Sequence, residues 1–230
     1  MSPNELFADL TARIEEIPAS CPRKIAVDGI DAAGKTTIAD SLGHYMERSG
    51  HEIIRSSIDN FHRPKVARYA RGECSPPGYY EDSFDYEMLT GLLLEPLASD
   101  NLRQYRRRAF DLHSDEPIWD ETEQCHPSAV LLFDGVFLLR PELNLWWDYR
   151  IFIDTSFEIA LERAFVRDAP RLGDERSIED RYRQRYFAGQ KIYFDRVNPK
   201  SLANIVICND DPSQPRIVEA FDTKTRTENP

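Results

Sequence analysis

The 230-residue sequence has no CxxC pair, no internal repeat and no low-complexity segment. Its four cysteines, Cys21, Cys74, Cys125 and Cys208, are scattered. That spacing excludes a zinc-ribbon or dithiol redox motif and fits free thiols in a reducing compartment. No apolar run approaches the roughly 20 residues that a membrane-spanning helix needs. Met1 to Ser20 lacks the basic-then-apolar layout of a signal peptide. Together these absences lead us to expect a cytoplasmic protein. Positive charge is also short, with 29 Lys and Arg against 40 Asp and Glu and a net charge of −11. A broad nucleic-acid or membrane surface is thereby disfavoured. A local basic pocket for phosphates is not, because net charge does not describe a cleft.

What is present alternates between short apolar runs and amphipathic stretches. Strands are expected at Lys24 to Val27, Glu52 to Ile58, Ala129 to Phe133, Arg150 to Ile153 and Asn204 to Cys208. Helices are expected at Lys35 to Arg48, Phe84 to Ala98, Phe157 to Arg167 and Glu179 to Val197, the last stopped before Pro199. Leu6, Leu10, Ile14 and Ile17 recur at helical spacing, so residues 1–22 should hold an amphipathic helix lying on the core. Phe61 to Tyr80 reads as a loop-rich excursion, Leu102 to Leu112 as a strand or hairpin, and residues 212–230 as a polar, frayed tail. The fold class is α/β, a parallel sheet with helices on both faces, spanning 23–211. In such sheets ligands bind at the carboxyl ends of the strands, which singles out Gly29 to Thr37, Asp59 and Asp134.

Gly29-Ile30-Asp31-Ala32-Ala33-Gly34-Lys35-Thr36 matches GxxxxGK(S/T) between an expected strand and an expected helix. The glycines let backbone N–H groups turn inward around phosphate oxygens, and the helix N-terminus adds partial positive charge. Lys35 is expected on the β- and γ-phosphates, Thr36 on Mg²⁺ and Thr37 near the α-phosphate of ATP. The pattern makes the fold a three-layer P-loop NTPase. Asp134 ends a buried strand and is expected on the Mg²⁺ side. Asp59 opens Asp59-Asn60-Phe61-His62-Arg63-Pro64 after another strand. It is placed to take the proton of an acceptor hydroxyl. Asp28, just before the loop, reads equally well as a tie between strand and loop. Arg163, Arg167, Arg171, Arg176, Arg181, Arg183 and Arg185 crowd the segment around Pro170 and Gly173. Most read as solvated charges paired with nearby acids. Arg167 is the one expected to close over the transferring phosphoryl group, on an Arg-rich lid at about 168–180. The cluster Arg103, Arg106, Arg107 and Arg108 has no second basic patch to support a nucleic-acid reading.

Taken in order, these stretches resemble the uridine kinase branch of the P-loop kinases, a group that also holds phosphoribulokinase-like and pantothenate-kinase-like enzymes. Asp59-Asn60-Phe61-His62-Arg63 is similar to the family's Asp-Ser-Phe-Tyr-Arg, whose Asp is the catalytic base. Glu81-Asp82-Ser83-Phe84-Asp85 resembles its Pro-Asp-Ala-Phe-Asp. Leu132-Phe133-Asp134-Gly135-Val136-Phe137 looks like its Phe-Glu-Gly-Ile, followed by Ile151-Phe152-Ile153-Asp154-Thr155, Arg163 and Arg167-Asp168. The likeness spans about residues 24 to 208. There are departures. Asp134 stands for a Glu, and Tyr79 falls where uridine kinases commonly carry an Asp that holds ribose hydroxyls. Phe110-Asp111-Leu112-His113 matches the pyrimidine-reading segment only loosely, and the phosphate loop is worded more like that of thymidylate kinases.

The resemblance implies an ATP-dependent kinase acting on a small-molecule hydroxyl, with a nucleoside such as uridine as acceptor. Asp59, Arg63, Tyr79, Tyr80, Asp82, Phe110, His113 and Arg167 are the candidates for the acceptor side. A nucleoside monophosphate kinase is the alternative, which needs an extra anion site, with Arg63, Arg68 or Arg71 as candidates. A nucleotide-binding switch or motor-type ATPase is the alternative of another class, and no switch or sensor segment is apparent. The expected partners are ATP and the acceptor, with no nucleic acid polymer and no membrane. A homo-oligomer is left open.

Overall fold

The computed structural model describes residues 1–99, 104–119 and 121–221. Leu102 and Arg103, from the expected hairpin and basic cluster, lie outside the described residues, as does the end of the polar tail. One six-stranded sheet is formed by β1 (Arg23–Gly29), β2 (Ile53–Ser57), β3 (Val130–Gly135), β4 (Tyr149–Asp154), β5 (Ile205–Cys208) and β6 (Arg216–Ala220). Their order is β6-β5-β4-β1-β3-β2. β1 to β5 run parallel and β6 pairs antiparallel with β5. The sheet is therefore mixed, and β6 corrects the expectation of a structureless tail from Pro212. The chain after β3 crosses β1 to reach β4, so the carboxyl ends of β1, β2 and β3 share one edge.

Alternate residues of the central strands feed two cores. Ile25, Val27, Val130, Leu132, Ile151 and Ile153 face one side, while Ala26, Leu131, Phe133 and Phe152 face the other. This period of two on a strand buried on both faces produces the continuous apolar runs visible in the sequence. The first face is covered by α1 (Pro3–Glu15) and α2 (Lys35–Arg48), with Leu6, Leu10, Leu42 and Met46 fully buried. Ser2 and Glu5 close a capping box at the start of α1.

Helical structure departs from expectation at several points. The segment 61–80 contains a short helix at Lys65–Arg68 and the start of α3 (Pro76–Asp82), so Tyr79 and Tyr80 are helical. Helix α4 (Phe157–Leu172) passes through Pro170 and ends only at Gly173, whose φ of 89° suits glycine. Arg167 therefore lies inside a helix and not at its end. α5 (Glu175–Arg181) and α6 (Phe187–Val197) are joined by a π-helical turn at Tyr182–Tyr186. A second π turn, Thr90–Leu94, interrupts the expected Phe84–Ala98 helix, which starts at Tyr86. The segment around 102–112 yields two minimal ribbons, Gln104–Tyr105 with Glu123–Gln124 and Phe110–Asp111 with Glu116–Pro117.

Candidate active site

The loop between β1 and α2 is shaped by positive φ at Ala32 (59°) and Gly34 (92°). A Cβ at Gly34 would lie 2.5 Å from Asn209 Nδ2, so the position needs glycine for space as well as for backbone angle. The carbonyl of Ala33 accepts from Asn209 Nδ2 (2.7 Å), Arg163 Nη1 (3.3 Å) and Thr155 Oγ1 (3.3 Å). With its carbonyl turned outward into three donors, the loop is free to present N–H groups inward. Lys35 is buried, and its Nζ donates to the carbonyl of Ile30 at 2.6 Å, folding the ammonium back across the loop.

Asp134 is the penultimate residue of β3, between Val27 of β1 and Ser57 of β2. It is buried, and its Oδ2 accepts from Thr36 Oγ1 at 2.6 Å. Its Oδ1 accepts from Arg55 Nη2 at 2.8 Å. Arg55 also donates to Asp40 and to the carbonyl of Leu132. Mg²⁺ is commonly held by one or two protein oxygens, with phosphates and water completing the octahedron. A hydroxyl and a carboxylate oxygen in contact at the mouth of the phosphate loop fit that requirement.

Asp59 lies in a 3₁₀ turn, Ile58–Phe61, at the carboxyl end of β2, with its side chain 68% exposed. Its Oδ1 is 3.4 Å from His62 Nε2. His62 Nδ1 contacts the carbonyl of Ser83 at 3.0 Å, and the ring stacks on Phe84. Enclosure by the cleft pushes the Asp59 carboxyl up, but the His62 hydrogen bond and the charges of His62, Lys35 and Arg167 pull it down. The enclosure is the largest single contribution, but the hydrogen bond and the three positive charges together outweigh it, so Asp59 sits below the usual carboxylate range. Arg167 reaches towards the same cleft from α4. Asp168 Oδ1 and Oδ2 accept from it at 2.9 and 3.2 Å, and the Tyr182 hydroxyl accepts at 2.8 Å. Tyr182 in turn donates to Asp168 at 2.6 Å. The Arg167 side chain stays 55% exposed but is aimed by two buried partners.

Phosphate loop, strand-end carboxylates and arginine thus converge on one edge of the sheet. No protein-family model matches the chain. Among curated relatives, the uridine kinase of Ligilactobacillus salivarius is 24% identical over 189 residues, covering 81% of this chain and 84% of that protein. The uridine kinase of Leuconostoc citreum is 25% identical over 197 residues, covering 81% and 87%. Uridine-cytidine kinase B of Dictyostelium discoideum is 28% identical over 159 residues, covering 69% and 62%. A possible uridine kinase from Bacillus stearothermophilus superposes with a TM-score of 0.70 at 21% identity, covering 88% of this chain and 97% of that one. D-glycerate 3-kinase from Cryptococcus neoformans gives 0.59 at 13% identity, covering 95% and 97%. The chain is similar in sequence to uridine kinases, and its fold is that of P-loop kinases.

In this kinase the expected acceptor residues do not all meet. Tyr79 does face the loop, where its hydroxyl donates to Asp31 Oδ2 at 2.6 Å. Tyr80 does not; its ring lies against the Arg140 guanidinium, 4.1 Å from the centroid, and edge-on to Phe137. Asp82 pairs with Arg71 at 3.0 Å, and Glu81 joins the same ionic group. Phe110 is buried on a ribbon that the Ala109 N–H ties to the Asn60 carbonyl, next to Asp59. His113 is exposed at the tip of that ribbon. Arg63 is exposed, Arg68 is buried against Asp115, and Arg71 is taken up by Glu81 and Asp82. Asp28 is fully buried, accepting from the Tyr193 hydroxyl and the Gly29 N–H, so it ties strand to loop. His62, Arg55, Tyr182, Gln190 and Asn209 are not among the site candidates named from the sequence. Of these only His62 carries a sequence signal, its place three residues after Asp59.

Proposed function

We propose that this kinase transfers the γ-phosphoryl group of Mg·ATP to a hydroxyl of a nucleoside such as uridine, with Asp59 as general base. The observation that carries the reading is Asp59 itself, an ionised and exposed carboxylate facing the same cleft as Lys35 and Arg167. Lys35 would leave the Ile30 carbonyl for the phosphates. Thr36 and Asp134 would hold Mg²⁺, which when bound neutralises charge on the β- and γ-phosphates. Asp59 would take the proton as the acceptor oxygen bonds to phosphorus and ADP departs, passing it afterwards to water. Arg167, aimed by Asp168 and Tyr182, would stabilise charge on the transferring group. We propose the segment about 168–180 as the lid, turning at Gly173.

The monophosphate kinase alternative is less well supported, since Arg68 and Arg71 already have carboxylate partners and, of the three candidate arginines, Arg63 alone has none among the described residues. An assay with uridine, cytidine and UMP as acceptors, read by product mass, tests the proposal. Phosphorylated uridine with UMP inert is the expected result. Phosphorylation of UMP alone, or ATP hydrolysis with no phosphorylated acceptor, would overturn it.

A further inference from the structure

Asp31 puts a carboxylate into the phosphate loop, where it repels the anion that the loop exists to bind. Its environment shows what it does instead. Oδ2 accepts two hydrogen bonds of 2.6 Å, from the hydroxyl of Tyr79 on α3 and from Nε2 of Gln190 on α6. Both donors crowd one oxygen. Among the described residues no side-chain or backbone donor is assigned to Oδ1. Gln190 is 1% exposed, and its Oε1 has no partner. Its amide orientation is fixed, since a flip would turn Oε1 onto the Asp31 carboxylate. Tyr79 is held in turn by edge contacts with Phe137 and Tyr186. Asp31 is therefore a braced acceptor, mostly but not fully covered, with one oxygen uncommitted.

Its place is marked by the hydrogen bond to Tyr79, a candidate for the acceptor side, and by its charged neighbours. Lys35, Arg167 and Asp59 all act on the Asp31 carboxyl, so it borders the space between the phosphate loop and the proposed base. The loop's N–H groups answer the nucleotide's phosphates. What borders Asp31 from the Asp59 side is the acceptor, whose remaining polar groups, in a nucleoside, include the secondary hydroxyls of the sugar. A hydroxyl donates and a lone carboxylate oxygen accepts.

We propose that Asp31 is a specificity-determining residue of this kinase, whose Oδ1 accepts a hydrogen bond from a secondary hydroxyl of the acceptor sugar. Tyr79 and Gln190 are its positioning residues. The inference deepens the nucleoside reading and rests on it. A competing role is purely structural, in which Asp31 ties the phosphate loop to α3 and α6. That role predicts a uniform loss on mutation, blind to the acceptor's hydroxyls.

The test is a hydroxyl-deletion cycle. Turnover number and KM are measured for uridine, 2′-deoxyuridine and 3′-deoxyuridine with the wild type and with Asp31→Asn, together with KM for ATP. A hydrogen bond to a charged acceptor discriminates by about 10- to 100-fold. The wild type should prefer uridine over at least one deoxynucleoside by that factor in kcat/KM. Asp31→Asn should collapse the preference to about threefold or less by raising the uridine KM, leaving the ATP KM within about twofold. A preference that survives in Asp31→Asn overturns the inference while the nucleoside reading stands. So does a wild type that uses all three nucleosides equally, which needs no variant to fold. A wild type that phosphorylates none of them overturns the nucleoside reading and this inference with it.

Discussion

At the scale of the residue, the proposed base is defined by its neighbours. His62 Nδ1 faces a carbonyl that can only accept, so that nitrogen carries a proton. Nε2 can then donate to Asp59 only when the ring is an imidazolium. The pair, with Lys35 and Arg167, holds the Asp59 carboxyl below its usual range. A lowered carboxyl is ionised at every pH above that lowered value and loses its charge only as pH falls through it. The acid limb of kcat/KM for the wild type should therefore lie below the ordinary carboxylate range, and His62→Phe should move it upward. An unmoved limb would detach His62 from the base. Asp59→Asn should lower turnover by about 10² to 10⁴ at saturating substrates, the usual loss for a general base. Asp82→Asn should leave turnover within about threefold, because Asp82 is occupied by Arg71. If Asp82→Asn is the more damaging, the base lies in the 81–85 stretch. Much of this site is legible in the sequence because the phosphate loop and the strand-end acids are local patterns. The contacts that join Asp31 to Tyr79 and Gln190 are not, since those partners stand 48 and 159 positions away.

At the scale of the element, the π turn Tyr182–Tyr186 joins the two sides of the cleft. Tyr182 braces Arg167 and Asp168, while Arg185 donates to backbone carbonyls of Arg68, Gly72, Glu73 and Ser75. Tyr182→Phe removes one hydroxyl from a buried aspartate and from the proposed lid arginine. It should cost about 1–3 kcal/mol of stability, the usual penalty for a buried partner left unmatched. Turnover should fall while the KM for ATP stays near wild type, since a lid cation acts mainly on the transition state. Equal damage to ATP binding would place Arg167 on the nucleotide instead. Further along, α6 packs against α3 through Gly189, where a Cβ would lie 2.8 Å from Tyr79 Cδ1 and 3.2 Å from the Pro76 carbonyl. Helices such as α2 are legible because apolar spacing and a terminal glycine mark them. The π turns are not, because one inserted residue leaves the apolar pattern almost unchanged. Nor is β6, an edge strand whose residues are mostly exposed and so carry no alternating apolar signal.

At the scale of the molecule, charge and burial act together on stability. The chain carries a net charge of −11, so lowering pH towards the pI of about 5.0 relieves self-repulsion. One buried group adds a separate dependence. Asp28 is fully buried where β1, Tyr193 of α6 and the phosphate loop meet. Burial pushes its carboxyl up to about 6, against the Tyr193 and Gly29 hydrogen bonds and the charge of Lys35. In the unfolded chain an aspartate titrates near ~3.9. Between these values the folded state binds a proton that the unfolded state does not, so this group adds stability as pH falls through about 6. From pH 7 to pH 5 the gain is about 1 kcal/mol. Carboxyls held low in the folded state, among them Asp59, Asp115 and Asp168, act oppositely, but only below the unfolded carboxylate range. The urea midpoint should therefore be higher at pH 5 than at pH 7 in the wild type. Asp28→Asn removes the titrating group and keeps the global charge relief, so its rise should be smaller by about that 1 kcal/mol. The comparison reads a difference between two pH values within each protein, which cancels any constant cost of placing an amide beside Tyr193. An equal rise in both proteins would mean that Asp28 titrates alike folded and unfolded, and the pH response would then belong to net charge alone.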